Sequence, residues 1–167
     1  SQLIVSHLEG MGISRRMYDG LLTSGEAAHA LLRDHCLVNW GRRCYQIGRA
    51  PDDSLYQGLD IDMVDDLDRA DFVLNSAFHP AGESPFEEML VAAAARRLPM
   101  LCPNPDKVVH VGHHFMCCPG TAASRYEELG GAVVYRGKPH PEVYAQVLGD
   151  MGLRRVLAVG DGMATDV

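Results

Sequence analysis

The 167-residue chain carries 15 Lys and Arg against 22 Asp and Glu, a formal net charge of −7 at pH 7. This acidic balance argues against a general nucleic-acid binder, which presents a basic surface. No apolar run approaches the roughly 20 residues that span a bilayer, and no basic-then-apolar leader opens the sequence, so neither a membrane span nor export is predicted. With 47% hydrophobic residues, the chain can build the core of one domain, or of a small domain with an insertion.

The cysteines indicate a reducing compartment. Their odd number, with one adjacent pair and no CxxC, favours reduced thiols over a disulfide framework, and the predicted location is the cytoplasm. Most cysteines with apolar neighbours act as small core residues, and we expect that here. The five are Cys36, Cys44, Cys102, Cys117 and Cys118.

The first half of the chain mixes helical and extended patterns. Apolar spacing predicts a helix within residues 1–12 that ends at Gly10 or Gly12, and residues 18–22 predict a short strand. Thr23 and Glu26 then form a capping box at the start of a second helix. Residues 44–48 and 71–78 predict two further strands, with a loop and a short acidic helix (62–70) between them.

The second half alternates more regularly. Ser84, Pro85 and Glu87 supply an N-cap, a first-turn proline and a capping box for a helix over 85–97. A strand at 100–102 and a hairpin about Gly112 follow. Helices and strands then alternate, which predicts an α/β fold with parallel pairing. These last elements are a helix at 121–131, a strand at 132–137, a helix begun by Pro141 and a strand at 155–161.

Two of the predicted strands end on side chains that suit phosphate chemistry. Lys138 follows one strand, and Asp161 follows the other, with Asp166 one turn further. In open α/β sheets, ligands gather outside the carboxyl ends of the strands. Magnesium takes one or two carboxylates together with water and substrate phosphate. Asp161 is therefore a candidate metal ligand, Asp166 a supporting acid, and Lys138 a cation that would neutralise a phosphate.

These residues lie in two strings that carry a family resemblance. GKPHP (137–141) and VGDGMATD (159–166) resemble motifs three and four of the haloacid dehalogenase-like (HAD) hydrolases. LLTSGEAAHALL (21–32) is similar to the segment that leads into the cap of subclass IIA, the 4-nitrophenyl-phosphatase-like branch. CPNPDKVV (102–109) and CCPGTAASRYEELGG (117–131) are similar to the closing part of that cap. The resemblance implies a Rossmann-like parallel-sheet core, residues 1–34 and 133–167, with an inserted C2-type α/β cap, residues 35–132.

The resemblance also implies a reaction. HAD phosphatases hydrolyse small phosphorylated metabolites through an aspartyl-phosphate intermediate, with Mg²⁺ bridging protein and phosphate. By this resemblance, Lys138 contacts the phosphate and the nucleophile, Asp161 ligates the metal and Asp166 supports it. Asn104 and Asp106 could contact substrate, because the cap closes over the active site. An ordinary turn is an equal alternative for these two residues, since Asn-Pro-Asp is strong turn chemistry.

The chain departs from the family pattern in two motifs. It contains neither the DxDG stretch that carries the nucleophile nor the Thr/Ser phosphate anchor. We therefore expect an internal fragment of a phosphatase, inactive by itself, with the nucleophile outside these residues. The alternatives are a non-catalytic metabolite- or partner-binding protein, and a dehalogenase or phosphomutase on the same scaffold. Caps of this type often mediate dimers in the resembled branch, so a homodimer is an open expectation.

A histidine-rich stretch offers a competing site. His110, His113 and His114 invite a zinc interpretation, but no CxxC or HExxH accompanies them. We favour an exposed hairpin.

Overall fold

The computed structural model describes residues 2–48, 55–152 and 155–160. Within these ranges, no helix is long and apolar enough to cross a bilayer. A π-helical turn, Leu32–Cys36, joins the second and third helices, and 3₁₀ turns cover Arg15–Met17 and Leu67–Arg69. The helices are α1 (Gln2–Gly10), α2 (Ser24–Leu31), α3 (Leu37–Asn39), α4 (Glu87–Ala95), α5 (Pro119–Glu128) and α6 (Pro141–Met151). The strands are β1 (Arg43–Ile47), β2 (Asp62–Met63), β3 (Phe72–Asn75), β4 (His79–Pro80), β5 (Met100–Cys102), β6 (Val108–Val111), β7 (His114–Cys117) and β8 (Val133–Tyr135).

The main sheet has five strands in the order β2-β1-β3-β5-β8, and every neighbouring pair is parallel. The central strand β3 is buried along its whole length, as expected for a parallel sheet that is covered on both faces. The predicted α/β class with parallel pairing is confirmed.

Each face of this sheet packs on helices, and β3 shows how its side chains divide. Phe72 and Leu74 join the cluster formed with α2 and the π-helical turn, whereas Val73 joins the cluster formed with α4 and α5. Successive side chains of a strand point to opposite faces, so one short strand supplies both clusters. The capping box predicted from Thr23 and Glu26 starts the helix on the first face.

A second, smaller sheet is antiparallel, in the order β4-β7-β6. The hairpin of β6 and β7 turns at Gly112, where φ is +61°, as predicted. All four residues of β6 are exposed. His110 lies opposite Phe115 and His114 opposite Val111 in the register, so the two histidines are on opposite faces of the hairpin. The interpretation as an exposed hairpin is confirmed.

Two predicted strands are not formed. Residues 18–22 have no regular structure, and residues 155–160 are an extended, exposed segment in which the side chain of Leu157 is 86% exposed. A strand needs a neighbour for its backbone N–H and C=O groups. Neither segment has a strand beside it within the described part of the chain. The predicted acidic helix (62–70) is also wrong, because β2 and a 3₁₀ turn replace it.

The helix predicted over 85–97 is shorter, and its start differs. Helix α4 begins at Glu87 after the N-cap residue Phe86, with no capping hydrogen bond from a side chain. The Glu87 carboxylate instead pairs with the guanidinium of Arg125 on α5, at 2.6 Å. The Glu87 carboxylate, which the predicted capping box requires, is thus engaged in an ion pair between α4 and α5.

The predicted domain boundaries cross continuous structure. The helical stretch from α2 to α3 passes through residues 34 and 35, and its Leu32 and Cys36 lie in one buried cluster. Strand β8, assigned from sequence to the second part of the core, pairs with β5 in the main sheet. The division into core and cap stays a prediction, and the sheet favours a second boundary after β8 rather than before it.

All five cysteines are unpaired and buried. Burial raises the pKa of Cys36, Cys44 and Cys102 to about 12. At pH 8 we therefore expect about one of these thiols in 10⁴ to be the reactive thiolate. Alkylation with iodoacetamide, followed by mass spectrometry, should leave all three unmodified in the native chain and modify them after guanidinium unfolding. Rapid stoichiometric labelling of the native chain would contradict this placement.

Candidate functional site

A cavity of about 390 Å³ lies between the loop after β5, the turn after β8 and helix α6. Three of the five predicted site residues line it: Asn104 and Asp106 from the loop, and Lys138 from the turn. The segment 156–159 also contributes to the lining. The other two predicted residues, Asp161 and Asp166, lie outside the described residues.

The lining of the cavity is partly apolar and partly polar. Helix α6 contributes Val143, Val147 and Leu148, whereas the polar lining comes from Asn104, Asp106 and Lys138 together with Ser24 and Tyr144. Small-molecule sites commonly combine such an apolar wall with a few convergent polar groups, and this volume suits a small metabolite.

The loop that carries Asn104 and Asp106 is a hydrogen-bonded turn. The side-chain Oδ1 of Asn104 accepts a bond of 3.0 Å from the backbone N–H of Asp106, which is the Asx-turn expected of Asn-Pro-Asp. The thiol of Cys102, at the end of β5, donates to the Asn104 carbonyl at 3.1 Å. The turn interpretation is correct, and the same turn lines the cavity, so the two alternatives weighed from sequence are compatible.

Two glycines hold this loop between α5 and the lysine turn. The N–H of Gly120 donates to the Asp106 carbonyl at 3.0 Å, and a Cβ atom at position 120 would lie 2.0 Å from the carbonyl oxygen of Pro105. Gly137 has φ of +135°, and a Cβ atom there would lie 2.7 Å from Cδ of Pro105. The loop lies so close to both glycines that neither position has room for a side chain.

The turn that carries Lys138 is anchored at both ends. The N–H of Arg136 donates to the carbonyl of Cys102 at 2.9 Å, which continues the pairing of β8 with β5. The N–H of His140 donates to the carbonyl of Gly137 at 3.0 Å. Lys138 itself is exposed at the cavity.

An aromatic pair brackets the same turn. The rings of Tyr135 and His140 stack with centroids 4.7 Å apart and planes inclined by 6°. The Tyr135 hydroxyl donates to the carboxylate of Glu127 at 2.8 Å. Burial, together with this bond to an anion, raises the pKa of Tyr135. Sequence reasoning missed this pair, although His140 stands inside the GKPHP string that drew attention to Lys138.

Within the described ranges, no group of three or more His, Cys, Asp or Glu residues is arranged to hold a metal ion. This includes His110, His113 and His114, so the zinc alternative has no support. The predicted metal ligands remain Asp161 and Asp166.

Comparison with known proteins places this geometry in a structural family. No protein-family model and no curated protein matches the chain significantly. A haloacid dehalogenase-like hydrolase from Brucella suis 1330 superimposes with a TM-score of 0.80 at 30% identity, over 99% of this chain and 63% of that protein. A p-nitrophenyl phosphatase from Archaeoglobus fulgidus superimposes with a TM-score of 0.66 at 19% identity, over 99% of this chain and 62% of that protein.

The chain has the fold of the haloacid dehalogenase-like hydrolases. A further HAD-like structure, a glycerol phosphate phosphatase from Mycobacterium tuberculosis in complex with magnesium, superimposes with a TM-score of 0.70 at 22% identity, over 98% of this chain and 49% of that protein. The family resemblance seen in the sequence is therefore confirmed. This chain spans less than two thirds of the length of each of these HAD-like proteins.

A pair of Gly→Ala variants tests the contact between the loop and α5. Gly120→Ala places a methyl group against the Pro105 carbonyl, and we expect it to lower the free energy of unfolding by about 1–3 kcal/mol, because the loop must move. Gly149→Ala is the matched control, since Gly149 also lies in a helix and nothing is within 4 Å of its added Cβ. The control should stabilise by about 0.5–1 kcal/mol. Urea unfolding measures both, and equal stabilisation by the two variants would contradict the close approach.

Proposed function

We propose that this chain supplies the lysine, the acidic metal-binding end and the substrate-contacting loop of a Mg²⁺-dependent HAD-like phosphatase. The observation that carries the proposal is the shared cavity. Lys138 is far from Asn104 and Asp106 in sequence, yet the three line one space together with residues 156–159, which precede Asp161 in the chain. The substrate would be a small phosphorylated metabolite.

The residues that line the cavity would contact different parts of the substrate. Lys138 would neutralise phosphate oxygens and stabilise the charge that develops on them. Asp106 and Asn104 would contact the part of the substrate beyond the phosphate, since their loop also lines the cavity. The main sheet and the helices on its two faces, from α2 to β8, would form the cap. The chain beyond β8 would belong to the core. The nucleophilic aspartate would come from outside these residues, because the chain has no DxDG stretch.

A divalent metal fits the chemistry of the donor set. Asp161 and Asp166 are oxygen donors of the kind that Mg²⁺ prefers, and they stand in the order of the fourth HAD motif. A magnesium ion held there would polarise the phosphoryl group and offset the negative charge of an acidic protein beside an anionic substrate. The glycerol phosphate phosphatase with the same fold was crystallised with magnesium and with calcium, which supports a divalent cation.

A second candidate is a non-catalytic protein that binds a metabolite or partner on the HAD-like fold. The absence of a DxDG strand from the whole protein that contains this chain would favour it. A DxDG strand in the protein that contains this chain would favour the phosphatase.

The 167-residue chain alone should not hydrolyse 4-nitrophenyl phosphate, because the proposed nucleophile lies outside it. The release of 4-nitrophenol in the presence of Mg²⁺ measures this. Turnover that depends on Asp161, and is therefore abolished by Asp161→Ala, would show that the chain is itself a complete enzyme and would refute this division.

In the complete enzyme, Lys138→Ala should lower kcat/KM for 4-nitrophenyl phosphate by about 10²–10³, the usual cost of removing one group that stabilises developing charge. Lys107→Ala is a matched control, because Lys107 is the other lysine of the chain, is exposed and does not line the cavity. The control should change kcat/KM by less than about twofold. Equal losses in both variants would remove Lys138 from the proposed site.

A further inference from the structure

Asn75 is a fully buried polar residue at the end of β3. It follows Phe72, Val73 and Leu74, which are also fully buried. An amide buried without hydrogen bonds costs on the order of 1–3 kcal/mol, so the partners of a buried asparagine reveal what holds it there.

The two ends of the Asn75 amide bond to different parts of the fold. The side-chain Oδ1 accepts from the backbone N–H of Ala77 at 3.1 Å, which shapes the chain as it leaves β3. The side-chain Nδ2 donates to the carbonyl of Pro119, the first residue of α5, at 2.8 Å. It also approaches the sulfur of Met100 at 3.6 Å. The amide therefore ties the central strand to the start of α5.

The start of α5 is the surface on which the cavity loop rests. Gly120, next to Pro119, donates to the Asp106 carbonyl and has the Pro105 carbonyl against its Cα. Pro105 in turn packs against Gly137, the residue before Lys138. A chain of direct contacts thus leads from Asn75 through α5 and the loop to the turn of the lysine. Asn75 does not itself line the cavity.

We infer that Asn75 is a positioning residue, which sets where loop 103–106 and the Lys138 turn stand at the cavity. The expected effect of Asn75 on catalysis rests on the proposed phosphatase function. The expected effect of Asn75 on the position of the loop does not depend on that function.

The test compares Asn75→Leu with Ser76→Ala. Leucine fills a similar volume and removes both hydrogen bonds of the amide. The control also removes hydrogen bonds, here partly buried, just after β3, since the Ser76 hydroxyl donates to the Gly48 carbonyl at 2.7 Å and accepts from Gln46 Nε2 at 2.9 Å. Those bonds lead towards β1, away from the loop. Both variants should be less stable, so stability alone cannot distinguish them.

Amide hydrogen exchange of the chain measures how often the hydrogen bonds between α5 and the loop region open. In Asn75→Leu, the N–H groups of Gly120 and Cys118, which donate to the carbonyls of Asp106 and Lys107, should exchange about tenfold faster than the change in global stability accounts for. In Ser76→Ala, their exchange should follow global stability. Equal behaviour in the two variants would overturn the inference.

If Asn75→Leu does not fold, hydrogen exchange in the unsubstituted chain tests the inference instead. The side-chain amide protons of Asn75, observed by NMR, should exchange with the same opening free energy as the N–H of Gly120 over a urea series. Separate opening of the two groups would overturn the inference.

In the complete enzyme, Asn75→Leu should raise KM for 4-nitrophenyl phosphate about tenfold, whereas Ser76→Ala should leave KM unchanged. A merely structural role would reduce the amount of folded enzyme and hence the apparent kcat, without moving KM. An unchanged KM beside accelerated exchange would overturn the catalytic part of the inference. Absence of hydrolysis by the unsubstituted complete enzyme would overturn the proposed function, while the exchange result would still decide whether Asn75 positions the loop.

Discussion

The close contact between the backbone of loop 103–106 and the first turn of α5 is the constraint on which the cavity depends. At Gly120, the helix start and the Pro105 carbonyl are so near that a single methyl group would separate them. On the other side of the loop, Gly137 lets the turn of Lys138 approach the ring of Pro105. The contact at Gly120 is with a backbone carbonyl and the one at Gly137 is with the proline ring, so neither depends on a flexible side chain.

The parallel sheet explains why these pieces meet. Strands β3, β5 and β8 are neighbours, and parallel strands deliver their carboxyl ends to the same edge of a sheet. Asn75 ends β3, the loop follows β5, and Lys138 follows β8 by three residues. The cavity therefore lies where that rule places ligands, at the carboxyl ends of the sheet that we propose as the cap, beside a segment, 156–159, that we assign to the core.

The sequence predictions were correct where the signal came from residues close together in the chain. The capping box of Thr23 and Glu26, the hairpin about Gly112 and the helix begun by Pro141 were all confirmed, because each depends on residues within one or two turns of the chain. The strands at 18–22 and 155–160 were wrong, because apolar patterning shows that a segment can pair but not whether a neighbour lies beside it. The cap of α4 was lost to a distant residue, Arg125.

By itself, the sequence determined the α/β class, the HAD-like resemblance, and Lys138, Asn104 and Asp106 as candidates, since residue type and local spacing carry that information. Only the tertiary structure decided that these three share a cavity, that β8 completes the main sheet, and that Asn75 bonds to the start of α5. Such contacts join residues that are tens of positions apart. Their geometry arises only when strand order and helix packing bring those residues together, and no local pattern in the chain records that order.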